Sequence, residues 1–125
     1  MIHQMNLWDE SFKKIKHKTK TIEMRLNDKK RSQIKAGDII EFTNMSNGET
    51  INCLVKSILN YQSFSELYQH HDKILLGYEE HEIANSSDML RYYSRDDIDK
   101  FGVIGINLKV IKSRNTEKWN MKKSI

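Results

Sequence analysis

Apolar positions along this chain recur with two periods, and the switches between them divide it into elements. Trp8, Phe12 and Ile15 fall at i, i+4 and i+7, which predicts a helix over residues 7 to 17 with Trp8 facing the core. Asn6 is its candidate cap, and Asp9 and Glu10 occupy the first turn, where carboxylates suit the helix dipole. A period of two follows over residues 19 to 26. As a strand it places Ile22, Met24 and Leu26 on one face and Thr21, Glu23 and Arg25 on the other. Residues 27 to 32 read as a loop or single helical turn, and Ala36-Gly37-Asp38 turns the chain into a second strand over 38 to 44. Asn47-Gly48 is a hairpin signal, since both residues tolerate positive φ. The third strand, 50 to 59, changes phase at Lys56-Ser57, as a bulge would make it do.

Ser63-Phe64-Ser65-Glu66 fits a capping box and opens a second helix over 63 to 71. Residues 72 to 94 are the least regular, with a helix expected from Ser86 or Ser87 through Tyr93. Ser94-Arg95-Asp96-Asp97 caps another short helix that Gly102 stops, and in the last strand, 103 to 111, Ile104, Ile106, Leu108 and Val110 share one face. Short strands with helices between the third and the last predict an α+β domain, a small curved sheet or barrel with attached helices. The domain is expected over residues 1–112, followed by a polar, basic tail over 113–125 whose only large apolar anchors are Trp119 and Met121.

Composition adds boundaries to this picture. At 125 residues the chain suits one domain with its own core. The lone Cys53 sits in an apolar run, so it reads as a small buried hydrophobe, and the absence of any disulfide pair predicts a reducing, cytoplasmic compartment. No stretch is long and apolar enough for a membrane helix, and the first seven residues lack the basic-then-apolar order of a signal peptide. Twenty-one basic residues against 17 acidic give a net charge of +4. The cations gather over 13–20 and 25–35, on both sides of the Glu23 strand, and again in the tail. Such clusters suit a phosphate-tracking surface, because neutralised phosphates release counterions; a mixed, solvated surface has the same composition.

The five histidines lack a zinc-ligand framework, so neither metal nor cofactor is expected. Glu79, Glu80 and Glu82 read either as general acids or bases or as a solvated acidic loop. Tyr92 and Tyr93 either pack in the core or stack a base. Lys20, Glu23 and Arg25 could hold a nucleotide, cations on phosphate or carbonyl and the carboxylate on an amine or hydroxyl. The plainer reading is a solvated ion pair on a half-exposed strand, worth almost nothing.

Lys20-Thr21-Ile22-Glu23-Met24-Arg25, the following Gly37-Asp38-Ile39-Ile40-Glu41-Phe42, the helix start at Tyr61 to Glu66 and the closing Phe101-Gly102-Val103-Ile104-Gly105-Ile106 together resemble the ASCH domain family of the PUA-like superfamily. The resemblance spans residues 7 to 112. It implies a PUA-like barrel of about five to six strands with helices packed at one side, and a basic cleft between them that binds RNA, a nucleotide or a nucleoside. Lys18, Lys20, Glu23, Arg25, Tyr92 and Tyr93 would be its binding residues. One branch of the family looks like an amidohydrolase acting on acetylcytidine, and other members look like ribonucleases; an enzyme of either kind would use Lys20 and Glu23 as catalytic residues. Lys20 matches that branch's lysine, whereas Glu23 stands where the branch has threonine, which counts against the same reaction. Lys18 stands where the family usually carries glycine. The sequence leaves the oligomeric state open.

Overall fold

The structure, a computed structural model, describes residues 1–111, so the expected tail lies outside the described residues. The chain begins with a strand that its own polarity conceals. In β1 (Ile2–Leu7) the covered side carries His3, Met5 and Leu7, whereas Ile2 is exposed to solvent. A histidine turned inward and an isoleucine turned outward invert the alternation by which a half-buried strand is recognised.

This strand corrects the start of the first helix. α1 runs Asp9–Lys16, Asn6 belongs to β1, and the cap position falls to Trp8, which makes no side-chain capping bond. Trp8 has extended backbone there (φ −64°, ψ 152°), so its side chain leaves the stripe that Phe12 and Ile15 continue. It is 60% exposed, contrary to its expected place in the core.

The following strands are β2 (Ile22–Leu26), β3 (Ile39–Asn44), β4 (Thr50–Tyr61) and β5 (Val103–Ile111). They form one curled sheet in the order β1-β3-β4-β5-β2, parallel between β1 and β3 and antiparallel elsewhere. β4 pairs with both β3 and β5, and its register with β5 slips between Val55 and Ser57, the expected bulge. The slip bends the longest strand, and the bend curls the sheet into a half-barrel. Its two edges are β1 and β2. A side chain spans the gap between them, because Arg25 Nη2 donates to the Asn6 carbonyl at 2.8 Å.

Between β4 and β5 lie α2 (Phe64–Gln69), α3 (Lys73–Leu76), a 3-10 helix (Ser86–Arg91) and α4 (Arg95–Phe101). The Ser63 hydroxyl accepts from the Glu66 amide and the Ser94 hydroxyl from the Asp97 amide, so both capping signals act as expected. The helix expected through Tyr93 is the 3-10 segment and ends earlier, while α3 carried no periodic signal, being four residues long. Another 3-10 turn, Arg31–Gln33, fills the loop before β3.

Two hydrophobic clusters divide the interior. Phe12 and Ile15 of α1 close one inside the curl, against Ile40, Phe42, Val55 and Ile106. Ile22, Met24 and Leu26 face the other, under Phe64, Leu67, Leu76 and Ile98 of the helices. Burial on both sides of the sheet is what turns β2 from a half-exposed strand into a fully covered one. Gly105 of β5 lets α2 come close, since a Cβ there would meet Ile22 Cγ2 at 3.3 Å and Leu67 Cδ1 at 3.5 Å. Cys53 is wholly buried, and burial pushes its thiol up to about 12, as expected of a packing residue. Among the described residues no helix is long and apolar enough to cross a membrane, and no three metal-ligating side chains cluster.

Candidate functional site

The alternation in β2 that buries Ile22, Met24 and Leu26 turns Glu23 and Arg25 to the opposite side, beneath α1. There the turn after α1 delivers Lys20. The turn is tight: Lys18 adopts left-handed backbone (φ 69°), the conformation a glycine would occupy without strain. Lys20 and Glu23 are both buried, at 6% and 5% exposure, so the solvated ion pair of the plainer reading is replaced by a desolvated one. Lys20 Nζ lies 2.9 Å from Glu23 Oε1, and Arg25 Nε lies 2.7 Å from Glu23 Oε2. Each carboxylate oxygen therefore meets its own cation.

Burial alone would push the Glu23 carboxyl up, but the charges of Lys20 and Arg25 outweigh it and hold the group at about 2. Glu23 is ionised throughout the physiological range. The cations keep spare hydrogens: Lys20 Nζ uses one on Glu23 and another on Ser11 Oγ at 3.3 Å, out of three. Arg25 uses two of five on Glu23 and the Asn6 carbonyl. Tyr93 lies against the same guanidinium and stacks on Phe64, with ring centroids 5.8 Å apart.

These groups floor a cleft of about 240 Å³ between α1, β2 and the segment from α3 to the second 3-10 helix. Gly77 forms one wall at φ 112°, and a Cβ there would come within 3.0 Å of Lys20 Cδ, so the bare backbone is what lets the lysine stem pass. Lys14 ties α1 to that wall through the Gly77 carbonyl at 2.7 Å, with Glu10 at 3.0 Å and Glu79 at 3.3 Å. Behind it Tyr68 donates to Tyr78 (2.9 Å), which donates to Asp88 (2.7 Å), a chain that fixes the far wall.

The charged side chains lining the cleft are Lys14, Lys20 and Arg25 against Glu10, Glu23 and Glu82. Three cations face three carboxylates, so the interior is balanced, and the excess positive charge lies elsewhere on the chain. Of the residues expected at the site, Lys20, Glu23, Arg25, Tyr92 and Tyr93 line this one cleft. Lys18 is exposed on the turn before it and is not among the lining residues. Of the acidic trio, Glu82 reaches the lining and Glu79 pairs with Lys14. Sequence reasoning missed Trp8, Lys14 and Gly77, whose roles depend on where α1 meets the turn after α3.

The family model of the ASCH domain matches residues 5–117 of the chain. The chain belongs to the ASCH domain family. That family is generally thought to bind RNA. The crystal structure of hypothetical protein PH0355 is similar at 31% identity over 89% of this chain and all of its own, with a TM-score of 0.76. The solution NMR structure of protein PF0455 from Pyrococcus furiosus is similar at 32% identity over 90% of this chain and all of its own, with a TM-score of 0.72. No curated protein matches.

Proposed function

We propose that this ASCH domain is a binding module for RNA or a nucleotide, and that its site is the cleft floored by Lys20, Glu23 and Arg25. The observation that carries the reading is the buried carboxylate with a cation on each oxygen, 2.9 and 2.7 Å away, at the bottom of an open cleft. It offers fixed acceptors from Glu23 and spare donors from Lys20 and Arg25, the pattern needed to read the edge of a base. Tyr92, 52% exposed, supplies a ring face at the same cleft.

A binding role fits this geometry better than a hydrolytic one. A carboxylate held at about 2 is a weak base at neutral pH, and the lysine beside it is engaged with it at 2.9 Å. Ser11, whose hydroxyl accepts from Lys20, therefore has no strong base in that partner.

Fluorescence anisotropy with a labelled eight-nucleotide single-stranded RNA tests the reading. Saturable binding is expected, with log affinity falling against log salt at a slope between about −1 and −3, because the cleft's own cations are already paired and only surface cations release counterions. Absent binding at low salt would remove the module reading. Release of cleaved RNA or of acetate from acetylcytidine, lost in Lys20→Ala, would put the hydrolase in its place.

A further inference from the structure

The aromatic residues of the described chain are distributed unevenly. Nearly all are buried or half-buried in one of the two clusters, and only Trp8 and Tyr92 are exposed. Both line the cleft above the Lys20, Glu23 and Arg25 floor. Met45, 54% exposed, lines it as well. A tryptophan side chain is among the largest apolar surfaces a protein can bury, so leaving it 60% in water at the mouth of a cleft leaves a large apolar gain for an incoming partner.

The neighbouring groups define that partner. The cleft interior is charge-balanced and the charge of its cations is already matched by carboxylates, so a phosphate placed there would lie beside the Glu23 carboxylate with no excess positive charge to offset the repulsion. An uncharged planar group with donors and acceptors on its rim meets no such cost. Outside, the Arg91 guanidinium stands 5.9 Å from the Tyr92 ring centre, where it can meet an anion next to a stacked ring. Apolar ring faces at the mouth, hydrogen-bonding groups at the floor and a cation at the rim are the complement of one unpaired nucleotide within a strand.

We propose that Trp8 and Tyr92 form a stacking mouth that receives a single unpaired base of single-stranded RNA, its edge meeting the floor and its flanking phosphates staying outside near Arg91. The proposal rests on the cleft being the RNA site and adds which part of the RNA enters. It assigns Trp8, which spacing alone places in the core, to ligand contact.

The test uses the full chain and the eight-nucleotide RNA above, with Trp8→Ala, Trp8→Phe and Tyr92→Ala. Trp8 lies outside both hydrophobic clusters, so its replacement leaves the fold in place. Trp8→Ala is expected to weaken binding by about tenfold or more, within the range measured for loss of one stacked base. Trp8→Phe should stay within about threefold of the wild type, which a change in fold would not allow. In a Trp119→Phe background, emission from Trp8 should be quenched as the RNA saturates. If the wild type binds RNA while Trp8→Ala binds equally well and the emission is unmoved, the stacking mouth is wrong and the cleft reading survives. If the wild type binds no RNA, both fall.

Discussion

Glu23→Gln is expected to lower folding stability by about 3 to 5 kcal/mol, the cost of leaving buried charge without its counter-charge. The substitution keeps the shape of the side chain, but Lys20, at 6% exposure, and half-buried Arg25 would then face each other across a neutral amide. In urea the midpoint should drop by about 2 M for a protein of this size. The same group sets the acid limb of the wild type. Its folded-state value lies below its unfolded one, so its contribution is complete above about 4.5 and disappears as pH falls toward about 2. That interval corresponds to about 3 kcal/mol. The variant should therefore show a flatter stability profile than the wild type between pH 5 and 2. A loss under about 1 kcal/mol with an unchanged acid limb would mean that solvent reaches the carboxylate, as it does for surface pairs.

Arg25→Met is the second large effect, and it reports on architecture. The guanidinium bonds Glu23 at 2.7 Å and the Asn6 carbonyl at 2.8 Å, so one side chain serves the ion cluster and also bridges the two edges of the open sheet. Methionine fills much of the same volume without either bond. About 2 to 3 kcal/mol should be lost, as for charged hydrogen bonds at a covered site, with Glu23 still held by Lys20. The loss should be local. Amide hydrogen exchange in β1, an edge strand paired only with β3, is expected to rise more than in β3 or β4. Uniform acceleration across the sheet would show that Arg25 stabilises the domain without closing it.

Much of this fold was legible because its strands and caps are written locally. β5, the hairpin between β3 and β4, the bulge after Val55 and the caps at Ser63 and Ser94 each depend on residues within a few positions of one another. β1 was not legible, since a strand lying parallel to β3 is specified by a partner some forty residues away and carries His3 on its covered side. The site was half legible. Alternation placed Glu23 and Arg25 on one face, but only the packing of α1 and the Gly77 turn over that face decides between a cleft and open solvent. Charge was the more misleading signal. The basic clusters around the strand suggest a basic cleft, whereas Glu10, Glu23 and Glu82 balance its cations. Trp8 shows the limit of periodicity, which fixes spacing and says nothing of whether the helix has begun.

RNA bound by this domain is expected to reach into this cleft. Amide and indole chemical shifts of isotope-labelled protein, followed while single-stranded RNA is added, test it directly. The largest shifts are expected at Trp8, Ser11, Lys20, Arg25, Gly77 and Tyr92, with a separate hollow lined by Asn60, Gln62 and Lys100 unmoved. Saturable shifts centred on that hollow, with the cleft silent, would contradict it.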